Sequence, residues 1–294
     1  MKQVISRRTA LQKVAGSTAA LAAAGHFRAL MAAEQPANTQ LKGRINHSVC
    51  KWCYGKIPLD EFCKSASEIG LQSVELLEIK DFPTLKSHGL LCAMVSGVPG
   101  GITNGLNRVE NHDGIVEFVE RTAPVVAEHG YPNIICFSGN RQGMSDEQGL
   151  ENCAIGLKRI APIAEKHKIT VCMELLNSKR THKGYMCDHT AWGVELVKRV
   201  GSERFKLLYD IFHMQIMEGD VIDTIRENHP YIAHYHTGGV PGRAEIDETQ
   251  EINYPAVMKA IVETGFKGFV AQEFVPKRRD PLASLRQGVT ICDV

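Results

Sequence analysis

The chain has 294 residues, 44% hydrophobic and 23% charged, enough for one large globular domain. No internal run matches the roughly 18 apolar residues that a membrane-spanning helix needs, which excludes such a span beyond the N-terminus. The formal charge of +1 includes Lys2, Arg7, Arg8, Lys13 and Arg28 in the acid-free residues 1–33; without them 29 basic residues face 33 acidic ones, a balance of −4 with no basic stripe for nucleic acid.

The N-terminus reads as a twin-arginine export signal over residues 1–33. Its parts are Ser6-Arg7-Arg8-Thr9-Ala10-Leu11, a mildly apolar run from Val14 to Gly25, and Ala32-Ala33 before Glu34. A periplasmic or exported mature protein is therefore expected, with a cytoplasmic protein bearing an amphipathic or disordered tail as the alternative. Ala10, where Phe is more usual, and the polar His26 and Arg28 depart from the pattern. The polar stretch that follows makes 34–43 a linker and 44–294 the folded domain.

Strand and helix signals then alternate. Strands are expected at Ile45–Val49, Ser73–Ile79, Leu90–Val95 and Asn133–Phe137. Helices follow them at Leu59–Ile69, Phe82–His88, Val116–His129 (after a Gly-rich loop, Gly97–Asn107) and Ser145–His167. Four more strands end at Glu174, Asp210, His236 and Glu273. Their helices are expected at Thr190–Val200, Asp220–Asn228, Tyr254–Thr264 and Leu282–Gly288. Eight strand–helix units in roughly 250 residues are the count and size of a single-domain α/β (β/α)8 TIM barrel. An open doubly wound sheet would usually place a Gly-rich phosphate turn after the first strand, and the sequence has none there.

In such a barrel the C-terminal strand ends share one mouth. Each of Glu174, Asp210 and Glu273 alone reads as readily as a helix cap or an ion-pair partner. Three carboxylates and the imidazole of His236 on consecutive strands point instead to one shared cation. His234, two residues earlier and on the same strand face, is the rival to His236. An oxygen and nitrogen ligand set suits Mn²⁺ or Mg²⁺ first, with Co²⁺ or Zn²⁺ also compatible. A cation beside a carbonyl and its neighbouring hydroxyl acidifies the C–H between them, and Glu174 and Glu273 on opposite sides would move that proton. His213, expected in a loop before the helix at Asp220, is the candidate electrophile. Arg243, in the flexible loop after His236, is the candidate substrate clamp. Their plainer readings are a buried histidine bonded to the backbone and a solvated loop charge.

Of nine cysteines, most lie in apolar patterns and read as core. Cys50-Lys51-Trp52-Cys53 has redox or zinc spacing but no second pair at zinc-finger distance. Trp52 reads as a wall of the site or as core; His182 and Lys183 follow the fifth strand but are not counted among the expected substrate contacts.

The segments Met173-Glu174-Leu175-Leu176-Asn177, Tyr209-Asp210-Ile211-Phe212-His213-Met214-Gln215-Ile216-Met217-Glu218-Gly219, Val240-Pro241-Gly242-Arg243 and Glu251-Ile252-Asn253-Tyr254 resemble the hydroxypyruvate isomerase-like branch of the xylose isomerase-like TIM barrels. The likeness spans roughly residues 44 to 276. It implies one divalent cation held by Glu174, Asp210, His236 and Glu273, with Glu174 and Glu273 as the acid/base pair and His213 and Arg243 touching substrate. The reaction it implies is a metal-dependent isomerisation of a small α-hydroxycarbonyl compound through a cis-enediolate, with hydroxypyruvate to tartronate semialdehyde leading. The hydroxypyruvate isomerases look to have Gln at the position of His236, and Gly-Thr-Gly where this chain has Glu248-Thr249-Gln250. The ketose 3-epimerases have His at the first of these positions, so 3-epimerisation stays open. A non-catalytic periplasmic barrel that binds a sugar or carboxylate is a further alternative. An endonuclease IV-like phosphodiesterase would need more strand-end ligands and a basic groove. The expected partner is a small molecule, and a homo-oligomer is expected only by analogy with such barrels.

Overall fold

Strands that are buried on both faces need helices on one side and a closed interior on the other, and these short apolar runs are arranged so. The computed structural model describes residues 41–294; the expected export signal over 1–33, and the expected linker 34–43 as far as residue 40, lie outside the described residues. The elements in order are β1 (Asn46–Cys50), α1 (Leu59–Ile69), β2 (Ser73–Glu75), α2 (Phe82–Ser87), α3 (His112–Glu128), β3 (Asn133–Cys136) and α4 (Asp146–His167). They continue with β4 (Thr170–Glu174), α5 (Thr190–Val200), β5 (Phe205–Asp210), α6 (Ile211–Met217), α7 (Val221–Asn228), β6 (Ile232–Thr237), α8 (Tyr254–Glu263), β7 (Phe269–Gln272) and α9 (Pro281–Cys292).

All strand pairs are parallel, in the order β2-β1-β7-β6-β5-β4-β3. The expected third strand, Leu90–Val95, is not a regular strand. It bridges the two sheet edges instead, with Leu91 beside Ser73 and Val95 beside both Leu77 and Ile134. Main-chain bonds from Val95 N to Asn133 O and from Ile135 N to Val95 O, at 2.9 and 3.0 Å, close the barrel there. The fold is thus the expected TIM barrel, seven strands and a bridging segment in place of eight strands.

The main core lies between the sheet and the helices, and a smaller cluster of Met94, Ile135, Cys172 and Leu208 packs apart from it. Cys172 and Leu208 stand two residues before Glu174 and Asp210, hence on the same strand face, and fill the barrel one layer below the expected ligands. One register detail sets the site. β5 slips against β6 between Leu207 and Leu208, so that Leu207 pairs Ile232 but Leu208 pairs His234. Asp210 therefore lies beside His236 rather than beside Tyr235, which would face the other way.

Candidate metal-binding active site

β4, β5 and β6 end in Glu174, Asp210 and the His236–Thr237 pair, and Glu273 follows β7 with its N–H bonded to Thr237 O at 2.9 Å. All four expected ligands are buried, and one donor atom from each lies within 4.8 Å of the others. His236 Nδ1 is 3.3 Å from Glu174 Oε1 and 2.6 Å from Glu273 Oε2. Despite these distances, neither His236 Nδ1 nor Glu174 Oε1 makes an aligned hydrogen bond among the described residues. The donors converge on a common point rather than on each other. Three buried carboxylates and a converging imidazole nitrogen fit a divalent cation.

The charges of the cluster are compensated internally by Arg243. Its Nη2 donates to Asp210 Oδ2 at 2.8 Å and to Glu273 Oε2, and its Nε donates to Glu273 O at 3.0 Å. Burial, reinforced by Glu273 and Glu174 against Arg243, pushes the Asp210 carboxyl up to about 7. Glu174 is raised by burial as well, with Glu273 adding to it. Glu273 goes the other way: burial opposes ionisation, but Arg243 and His236 hold it well below the usual carboxylate range.

His213 is not in a loop. Asp210 caps the seven-residue helix α6, its Oδ1 accepting the His213 N–H at 3.0 Å, which is a strong N-cap arrangement. The main-chain N–H of Asn177 donates to His213 Nδ1 at 3.1 Å, which assigns the ring proton to Nε2. Burial, together with Arg243 and His182, lowers the pKa of His213 well below its ordinary value, so the ring is neutral. Arg243 Nη1 stands 2.6 Å from the other ring nitrogen, Nε2.

The residue that sequence reasoning missed is Glu75, wholly buried at the end of β2. Its Oε1 accepts from His234 Nε2 at 2.8 Å and from His236 Nε2 at 2.9 Å, and its Oε2 accepts from Ser48 Oγ. His234 therefore joins Glu75, and His236 is the imidazole of the four-ligand cluster, although a Glu75–His234–His236 group also has ligand spacing. With its Nε2–H given to Glu75, His236 turns Nδ1 toward the carboxylates. The expected strand Ser73–Ile79 hid Glu75, because a strand ending four residues earlier would have placed it among the strand-end acids.

Trp52 is a wall of the site, not core: it is 49% exposed and its Nε1–H donates to Glu273 Oε1 at 2.7 Å. His182 lines the same cleft. Cys50 and Cys53 are free and buried, and burial followed by Glu273 raises both thiols well above the ordinary range, opposite to what a redox pair needs. A cleft of about 440 Å³ is lined by Glu174, His182, Arg243 and Glu273 together with Trp52, Ser96 and a set of apolar side chains.

A carboxylate–imidazole cluster that could hold a metal ion thus lies at the C-terminal mouth of a parallel barrel, where barrel enzymes place their active sites. The chain belongs to the xylose isomerase-like TIM barrel family, whose profile matches residues 63–291. It is similar to a putative hydroxypyruvate isomerase of Danio rerio, 24% identical over 77% of this chain and 88% of that protein. The corresponding Homo sapiens protein is 31% identical, but the match spans 41% of this chain and 44% of that protein. A 2-oxo-tetronate isomerase of Cupriavidus necator is 28% identical over 74% and 87% of the two chains. A solved structure titled AP endonuclease, family 2, from Brucella melitensis superposes with a TM-score of 0.72 at 25% identity, over 83% of this chain and 97% of that one.

Proposed function

We propose that this protein is a divalent-metal-dependent isomerase of an α-hydroxycarbonyl compound. The observation that carries this reading is the placement of Glu174 and Glu273 on either side of His236 Nδ1, both lining one cleft. A divalent cation held by Glu174, Asp210, His236 and Glu273, Mn²⁺ or Mg²⁺ first, would supply the positive charge that acidifies a C–H beside a carbonyl. One glutamate takes that proton while the C–H electron pair forms the enediolate double bond. The other returns a proton to the adjacent carbon while the hydroxyl proton passes to the former carbonyl oxygen, which exchanges the carbonyl and hydroxyl positions with no net redox change. His213 Nε2–H donates to a substrate oxygen, and Arg243 leaves the carboxylates to bind a substrate oxygen or carboxylate. Trp52 holds Glu273 in orientation and covers it from water.

Hydroxypyruvate to tartronate semialdehyde is the reaction to assay first, given the names of the relatives. A ketose 3-epimerase is the second reading, favoured by His236 and by a cleft far larger than a three-carbon acid requires. The test is solvent exchange: the mature chain with Mn²⁺ in D₂O, followed by proton NMR, loses the substrate C–H signal. EDTA, Glu174→Gln or Glu273→Gln stops the loss. Metal binding without exchange of any α-hydroxycarbonyl substrate would move a non-catalytic binding barrel ahead. Export through the N-terminal twin arginine is proposed alongside. Replacing Arg7 and Arg8 by Lys should retain the chain in the cytoplasmic fraction, and unchanged export would refute it.

A further inference from the structure

The cleft joins two chemistries. Glu174, Glu273, His182 and Arg243, at or after the ends of β4, β6 and β7, supply its charged and polar groups. Leu76, Val98, Ile102, Ile135, Phe137 and Leu176, from the ends of β2, β3 and β4 and the loop near residue 100, supply an apolar wall, with the Ser96 side chain also lining the cleft. These six side chains have no polar atom beyond the backbone. Three-carbon acids and polyols both need polar partners along their whole length, since a buried hydroxyl without one is strongly disfavoured.

The apolar side is held in place by specific backbone features. Leu76 has φ +57°, a conformation uncommon for a residue with a side chain and concentrated at functional sites. A main-chain bond to Met94 O at 2.9 Å holds it there, packed against the cluster that includes Ile135. The loop carrying Ile102 is laid onto the end of β3 by bonds from Leu106 N to Phe137 O and from Asn107 N to Ser138 O, at 3.0 and 2.8 Å. Gly105 permits the approach, because a Cβ there would meet Phe137 O at 2.2 Å. This wall is a feature of the fold and not a chance surface.

From this geometry we infer that the substrate is an α-hydroxyketone whose end remote from the reacting carbons is apolar, an alkyl, aryl or deoxygenated group lying against Leu76, Ile102 and Phe137. The inference rests on the isomerase reading for its polar end only. The opposite wall selects the tail. Hydroxypyruvate would leave its carboxylate or water against that wall, and a ketohexose would present three hydroxyls.

The test compares binding and exchange on the full mature chain with Mn²⁺. Titration calorimetry is run with hydroxyacetone, 1-hydroxy-2-heptanone, hydroxypyruvate and D-fructose, and C–H exchange in D₂O is followed for the same four. The expected result is at least tenfold tighter binding of 1-hydroxy-2-heptanone than of hydroxyacetone, with the other two no tighter than hydroxyacetone. Ile102→Ser and Phe137→Asn should each reduce that ratio to within about twofold; Ile102 is half-buried in a loop and serves if Phe137→Asn does not fold. A ratio near one, tightest binding of hydroxypyruvate or D-fructose, or a ratio that survives in the folded variants overturns the inference. Exchange of hydroxypyruvate without a tail preference sinks this inference and leaves the isomerase reading standing. A tail preference without any exchange does the reverse.

Discussion

Glu75 touches no part of the cleft, yet it decides which nitrogen of His236 faces the carboxylates. Two imidazole N–H groups converge on its Oε1. Although burial would raise its pKa, His234 and then His236 bring it down to about 2, so it stands as a carboxylate that only accepts. Such outer partners of a ligating imidazole fix its orientation and typically change metal affinity by about 10–100-fold when removed. Glu75→Gln should weaken Mn²⁺ binding by about that factor, as read by calorimetry. Unchanged affinity in a variant with undisturbed melting would show that Glu75 only fills space. At the same scale, Arg243 occupies the carboxylates directly and turns from them to a ligand in the proposed reaction.

Among the elements, the segment Asp210 to Gly219 divides its residues between chemistry and construction. Asp210 and His213 belong to the site. Glu218 reaches over to the start of α5, which has no cap from His189, and accepts Thr190 N–H at 3.0 Å and Thr190 Oγ1–H at 2.7 Å. Gly219, at φ +69°, makes the left-handed turn toward α7, which a Cβ would strain. Glu218→Ala should cost about 1 kcal/mol of stability, by loss of a cap equivalent, with little change in Mn²⁺ affinity. Denaturant unfolding measures the first and calorimetry the second. A large loss of metal affinity would place Glu218 functionally with its neighbours Asp210 and His213. The short helix α6 has a local signal, since Asp210 three residues before His213 is an N-cap spacing, but the residues after Asp210 read as a loop leading to the helix at Asp220.

For the whole molecule, three carboxylates gathered at one barrel mouth set a pH dependence. The folded-state pKa of Asp210, about 7, exceeds its unfolded value, so between roughly pH 4 and pH 7 the folded state holds a proton that the unfolded state has lost. Stability of the cation-free protein therefore falls as pH rises through that window, by up to about 1.4 kcal/mol per unit from this group, and Glu174, also raised, acts in the same sense. A divalent cation that binds only the folded chain offsets the loss. His213, whose pKa is lowered, acts in the opposite sense below about pH 6.5, so melting in EDTA should fall from about pH 6.5 to 8, and Mn²⁺ should restore it most at pH 8. A melting temperature flat with pH in EDTA, or unmoved by Mn²⁺, would contradict the cluster as a cation site.

The sequence by itself determined the barrel, because apolar runs of strand length alternating with amphipathic helices admit few other ways to cover both faces of a sheet. It also determined which strand ends carry Glu174, Asp210, His236 and Glu273, since a polar ligand closing an apolar run is visible in one dimension. Only the tertiary structure decided that these four meet. The slip at Leu207–Leu208 brings Asp210 beside His236, and nothing local in β5 encodes a register with another strand. Glu75, the bond from Trp52 to Glu273 and the Leu76–Ile102–Phe137 wall were likewise hidden, because each depends on a partner far away in the chain. Contacts of that kind exist only once the barrel has closed.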